Sequence, residues 1–221
     1  SFFIFLFSLF FFENLRISHI YLFDFRFDFT FIFAIFYTLL MIMGFLHVMN
    51  MSDGRNCLVV LYFINIIFFI ILKSYLNGLL LVNYLIILIP LILIFISNFF
   101  SKSFFGNSGI LLLSFFIANL LIQQFNSGYL TIENIYILLY LPFLDGLRVT
   151  FTRIINSKSP FVSDKTHLHH LPKNWNLSIV IISLLFLFNL IIQTFVNFNF
   201  YILVIYSLLS YILLFYIFKK I

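Results

Sequence analysis

Apolar residues run through this chain in long blocks, and charged residues mark the gaps between them. Stretches free of Asp, Glu, Lys and Arg cover 29–52, 56–72, 74–101, 103–132 and 174–218. A shorter one follows Glu133, and its helical reading continues past Asp145 through Arg148. A helix needs about 20 apolar residues to cross a bilayer. The pattern therefore predicts spans over 29–49, 57–72, 78–97, 109–126, 132–152, 176–196 and 199–218, with a break near Asn197-Phe198-Asn199 dividing the last long run. The helical reading is forced by lipid, where backbone polar groups must be satisfied within their own segment. Ser1–Phe12 is apolar but too short for a full crossing. It lacks the basic start and small-residue cleavage site of a signal peptide. It is expected to be the end of a spanning helix that begins upstream, so that the sequence is a fragment. The fold class is then all-α: one integral membrane domain over 1–221 with about seven spanning helices plus one partial helix at the N-terminus.

Composition excludes the alternatives. The chain is 64% hydrophobic and 9% charged, with 36 Phe. Soluble domains are about 45–50% apolar and about 25% charged, so no water-soluble fold could cover this much apolar side chain. One cysteine, Cys57, cannot form an internal bridge. The net charge of +5 is spread over loops rather than along one face, which argues against a nucleic-acid surface. It instead sets topology. With loops alternating sides, one side collects Arg55, Lys102, Arg148, Arg153, Lys158, Lys165, Lys173, Lys219 and Lys220. The other holds Arg16, Arg26 and Lys73. The positive-inside bias puts the first set in the cytoplasm, together with the C-terminus and loops at about 50–57, 98–108 and 153–175.

The polar residues that stand out lie on that same side. They are Asn50-Met51-Ser52-Asp53-Gly54-Arg55-Asn56; Gly106-Asn107-Ser108-Gly109; Asp145-Gly146-Leu147-Arg148 with Arg153; and Ser159-Pro160-Phe161 through Asp164 to His167-Leu168-His169-His170. Each has an ordinary reading. Asp53 could cap a helix. The glycines could turn the chain into the next span. Asp145 and Arg148 could pair at a helix end. The histidines could be a solvated cluster, since no Cys or carboxylate pair completes a tetrahedral zinc set. Ionisable groups beside spans are nevertheless costly and usually functional, and here they gather at one boundary.

Taken in order, these motifs resemble the polyprenyl-phosphate N-acetylhexosamine-1-phosphate transferases, membrane enzymes that start lipid-linked cell-envelope glycans. The family's Asn-x-x-Asp-Gly-x-[Asp/Asn]-Gly-Leu loop is matched by Asn50 through Leu58, with Cys57 at a glycine position. Its Phe-x-Gly-Asp-x-Gly motif is matched by Phe104-Phe105-Gly106-Asn107-Ser108-Gly109, with Asn107 where Asp usually binds magnesium. Its Asp-x-x-Arg, second Arg, Ser-Pro-Phe, Asp and His-x-His-His series is matched by Asp145, Arg148, Arg153, Ser159-Pro160-Phe161, Asp164 and His167-Leu168-His169-His170. Family members have ten or eleven spans and an earlier Asp-Asp pair that this sequence lacks.

The resemblance implies transfer of a HexNAc-1-phosphate from a UDP-sugar to undecaprenyl phosphate at a bacterial inner membrane, releasing UMP. It implies Mg²⁺, with Mn²⁺ as a substitute, because a diphosphate centre needs a cation. It implies roles for Asp53 and Asp145 in catalysis and for Asn107 at the metal. Asn50, Asn56, Arg148, Arg153, His167, His169 and His170 would bind substrate. The expected partners are UDP-sugar, polyprenyl phosphate and membrane, with a homodimer as a further candidate and no nucleic acid. An Asn carbonyl ligates without charge, so weaker metal binding is expected. The alternatives are an inactive, shortened remnant of the family or a transporter subunit. A transporter should place ionisable residues mid-membrane on facing helices, and the apolar spans 57–72, 78–97, 109–126, 176–196 and 199–218 hold none.

Overall fold

The computed structural model describes residues 9–22, 25–76, 82–159, 166–195 and 199–221. The expected partial helix at Ser1–Phe12 lies mostly outside them, as do the break near Asn197 and the segment from Pro160 through Lys165. Among the described residues the chain is a helical membrane protein. Its helices are α1 (Phe31–Met51), α2 (Leu58–Leu76), α3 (Val82–Phe99), α4 (Gly106–Asn126), α5 (Ile132–Ile155), α6 (Trp175–Phe195) and α7 (Phe200–Lys220). Six of these are long and apolar enough to cross a membrane, and α3 holds a shorter apolar helix, Asn83–Phe99. A helix stands at each of the seven spans read from the charge pattern, six of them of spanning length; α2 and α5 continue about one turn beyond their expected ends, and the expected start of the third span at 78 lies outside the described residues.

Helix α2 is central and packs against α3, α5 and α6. Its Phe63, Ile66, Ile67 and Ile70 have no exposed surface. It is the most buried of the long apolar helices among the described residues, with protein around most of its surface and Phe68 left exposed. The outer helices keep one face open, with Phe36, Leu93, Leu187 and Leu213 exposed where lipid would lie. Between α5 and α7 the contact is partly polar. Tyr136 Oη lies 2.6 Å from Ser207 Oγ, and Ser210 Oγ donates to Tyr140 Oη at 3.1 Å. Tyr206 Oη donates to Asn189 Oδ1 on α6 at 2.6 Å. Without water as a competitor, such bonds hold helices that lipid would not otherwise drive together.

Two sets of polar ties fix the ends of the bundle. At one end Lys73 Nζ donates to Asn134 Oδ1 at 2.7 Å, and Gln193 Nε2 donates to Asn134 O at 3.2 Å. Asn134 also closes a reciprocal cap with Thr131 at the start of α5. This joins α2, α5 and α6. At the other end the Cys57 amide donates to Asn98 Oδ1 at 2.9 Å, Asn56 Nδ2 to Ser101 Oγ at 3.0 Å, and Trp175 Nε1 to Asn56 O at 3.0 Å. This joins the starts of α2 and α6 to the end of α3. Arg55, Lys102, Arg148, Arg153, Lys158, Lys173, Lys219 and Lys220 all belong to that second end, and Arg16, Arg26 and Lys73 to the first. The charge sorting read from the sequence is thus a sorting of bundle ends; Lys165 lies outside the described residues.

The segment before α1 departs from a purely helical reading. β1 (His19–Leu22) and β2 (Phe25–Asp28) form an antiparallel hairpin that pairs His19 with Asp28 and Tyr21 with Arg26. Alternating aromatic and polar residues suit a pleated ribbon better than a helix, and the charges here mark a surface hairpin rather than a loop. The hairpin is anchored by Thr38, buried in α1, which accepts from Ile17 N at 2.8 Å and donates to Ala34 O at 2.7 Å. Asn126 Nδ2 adds a bond to Arg16 O at 2.7 Å.

The central position of α2 gives a direct expectation. Phe63→Ala should lower unfolding stability in detergent by about 3–5 kcal/mol, the usual cost of emptying a packed aromatic site. Phe36→Ala, on a lipid-facing surface, should change it by under about 1 kcal/mol. Chemical unfolding followed by circular dichroism distinguishes the two.

Candidate functional site

The last turns of α5 build the site. Asp145, Val149 and Arg153 follow a four-residue spacing, share one helix face and are all buried. A buried carboxylate is costly unless paired and hydrogen-bonded, and Asp145 is both. Its Oδ1 accepts from Arg148 Nη2 at 2.8 Å, Tyr211 Oη at 2.9 Å and the Leu168 amide at 3.1 Å. Its Oδ2 accepts from His167 Nδ1 at 2.9 Å and shares the Leu168 amide at 3.2 Å. Arg148 also donates to Tyr211 Oη at 2.7 Å and Thr166 O at 2.6 Å, and its guanidinium lies 4.9 Å from the Phe215 ring centre. One carboxylate therefore fastens α5, α7 and the histidine segment together.

The histidine segment folds as a short 3-10 turn, Leu168–His170, with His167 at its start. The rings of His167 and His169 stack at 5.5 Å, and those of His169 and His170 sit 4.2 Å apart. His169 is buried, and its proton affinity falls from the ordinary 6.5 to about 3, first through burial and then through the neighbouring histidines. The loop after α1 docks on these rings at Gly54. A side chain there would overlap His169 Nε2 and come within 2.8 Å of His170 Nε2, so the approach requires glycine. Next to it, Asp53 is exposed, with no cation paired to it among the described residues. Desolvation by the surrounding loop still pushes its carboxyl up to about 6. Asp53 occupies a turn, its amide bonded to Asn50 O, and does not cap α2, which begins at Leu58. Arg55 lies over Trp175, 5.7 Å from the ring centre.

The fold thus brings Asp53, Asp145, Arg148, Arg153, His167, His169 and His170 to one end of the bundle. Asn56 is there too, but its amide and carbonyl lock loops to Ser101 and Trp175. Asn50 is exposed at the end of α1, and Asn107 is exposed in the first turn of α4, which Gly106 opens at φ +69°. Among the described residues no hydrogen bond or ion pair joins Asn50 or Asn107 to the Asp145 cluster, and no three His, Cys, Asp or Glu side chains gather as a metal set. Ser159 is described, whereas Pro160, Phe161 and Asp164 lie outside the described residues. Sequence reasoning missed Tyr211, Gly54 as a docking point, and Trp175. Tyr211 sits in an apolar span where only its hydroxyl hints at a polar neighbour. No family model matches the chain, and neither do the curated proteins or solved structures compared with it.

Two expectations follow. Gly54→Ala should separate the loop from the histidine turn, read as faster proteolysis of the 156–174 segment and a lower melting temperature. The pH response has two opposite parts. His169 binds fewer protons folded than unfolded, so its contribution is full above about pH 6.5 and is lost as pH falls toward 3. Asp53 binds more protons folded, so its contribution is full below about 3.8 and is lost as pH rises through 6. Melting curves of His169→Gln should lose the first dependence and those of Asp53→Asn the second.

Proposed function

We propose that this chain is a phosphoglycosyl transferase of the polyprenyl-phosphate type, moving a HexNAc-1-phosphate from a UDP-sugar to undecaprenyl phosphate. The observation that supports this reading is the convergence on Asp145. Motifs far apart in the sequence (Asp145 with Arg148, and the His167–His170 turn with its Gly54 partner) form one anchored unit at the more basic end of the bundle. That end would face the cytoplasm of a bacterial inner membrane, where nucleotide sugars are available.

The proposed division of labour follows from each group's chemistry. Arg148, held by Asp145 and Tyr211, and buried Arg153 would hold diphosphate oxygens, a task suited to a planar guanidinium. His170 would contact the sugar phosphate, and the buried, neutral His169 packed against it would hold it in place. Asp145 acts as a positioning group, since its oxygens are already occupied by the protein. Mg²⁺ takes one or two carboxylates and draws its other ligands from phosphate and water. Asp53, exposed and without a paired cation among the described residues, would meet that need, and Asn107 would be the uncharged second ligand. When bound, the metal would supply charge neutralisation at the diphosphate. The protein's part is positioning and electrostatics at the anionic centre. A second copy of the chain remains a proposed partner.

The test is release of UMP from UDP-GlcNAc and other UDP-HexNAc donors by membranes containing the chain, with undecaprenyl phosphate and Mg²⁺. Arg148→Lys and His169→Ala should each lower turnover by about 10²-fold. Unchanged turnover in both variants would reject the assigned roles. No release with any donor would favour an inactive remnant.

A further inference from the structure

The hairpin before α1 has two unlike faces. Ile20 opposes Phe27, while Tyr21 opposes Arg26 and His19 opposes Asp28. Side chains alternate along a strand, so Ile20, Phe25 and Phe27 share one face, and Tyr21, Arg26 and Asp28 share the other. Ile20 packs with Tyr37 and Phe125 on the wall of an apolar cavity between α1, α4 and α5. Farther along the same face, Phe27 is 49% and Phe25 71% exposed. Arg26 and Asp28 pair at 2.8 Å on the opposite face and are exposed too.

The base of the hairpin sits beside a spanning helix, well inside its end. The Ile17 amide donates to Thr38, two turns and about 10 Å from the first residue of α1 at about 1.5 Å per residue. Non-helical backbone at such a depth in lipid needs partners within the protein. Phe29 N donates to Ser18 O at 2.8 Å, and Asn126 Nδ2 donates to Arg16 O at 2.7 Å and Asn14 O at 3.0 Å. Buried Arg16 donates to the carbonyls of Leu9 at 3.2 Å and Phe10 at 3.4 Å and pairs with Glu13 at 3.5 Å. Pairing with carbonyls and a carboxylate is how a cation is accommodated below a bilayer surface. The open rings also join the lipid-facing surface of the bundle. Phe29, two residues on from Phe27, meets Phe33 at 4.8 Å, and Phe31, Ile32, Phe33 and Phe36 of α1 are exposed.

We propose that this hairpin is a lipid-contacting surface, lying along the headgroup layer at the Lys73 end of the bundle. Phe25 and Phe27 enter the acyl boundary of that leaflet, and Arg26 and Asp28 face water. Aromatic rings favour this layer because they are apolar and sit at the headgroup level. The hairpin thereby sets the depth of α1 on the side opposite the Asp145 cluster. This seating is independent of any chemistry at the Asp145 end.

The test is a nitroxide scan of the full chain in vesicles of phosphatidylethanolamine and phosphatidylglycerol. Phe25→Cys, Arg26→Cys, Phe27→Cys and Asp28→Cys are each made with Cys57→Gly, which removes the native thiol at a φ of +72° that glycine tolerates. Relaxation by oxygen, which concentrates in lipid, is compared with relaxation by a water-soluble nickel chelate. Oxygen should prevail at 25 and 27 and the chelate at 26 and 28, so that the preferred reagent reverses at every residue. The chelate prevailing at all four positions places the hairpin in water and overturns the proposal. Both reagents excluded at 25 and 27 means a protein partner, such as a second copy of the chain, and overturns it as well. A cysteine-independent check is Phe25→Trp in vesicles with brominated acyl chains. The emission added to that of Trp175 should be quenched, and added emission as bright as in unbrominated vesicles overturns the proposal.

Discussion

The satisfaction of one buried negative charge governs the functional end of this protein. Asp145 sits inside the bundle, where an unpaired carboxylate would be intolerable. Five donor contacts from Arg148, Tyr211, His167 and the Leu168 amide meet that demand. Because those donors come from α5, α7 and the segment before α6, satisfying the charge also fixes where three parts of the chain meet. The histidine turn is held by this carboxylate on one side and by Gly54 on the other. Its rings are therefore oriented by groups that need not touch any ligand.

The rest of the bundle supports that arrangement with few polar contacts, each at a helix end or along one seam. Asn134 joins three helices at one end, and Asn56 and Asn98 join three at the other. Between them, apolar packing around α2 does most of the holding. This division suits a protein in lipid, where close van der Waals packing and interhelical hydrogen bonds, rather than expulsion of water, hold helices together.

Much of this was legible in the chain itself. Charges cannot lie among lipid tails, so Lys73, Lys102 and Glu133 mark helix boundaries with little ambiguity, and the spans follow. The Asp145–Arg148 pair was legible because a three-residue spacing on a helix brings the two side chains together. The pairing of His167 with Asp145 was not, since it depends on how a loop returns over the bundle. The hairpin at His19–Asp28 escaped because four-residue strands among charged residues look like a loop. Tyr211 escaped because a tyrosine in an apolar run reads as one more aromatic. Asn107 shows the limit of motif reasoning in the other direction: it occupies its expected place at the head of α4, yet among the described residues no hydrogen bond or ion pair ties it to the Asp145 cluster.

The sequence contains a single tryptophan, and it is the residue whose indole N–H holds the Asn56 carbonyl while Arg55 covers its ring. The protein therefore carries its own optical probe, placed where the loop after α1 meets the start of α6. Indole emission shifts with hydration and with nearby charge, so the colour of this one fluorophore reports the closure of that junction. Any ligand that draws Arg55 away, or any event that lifts the loop, is written into the spectrum of the unmodified chain.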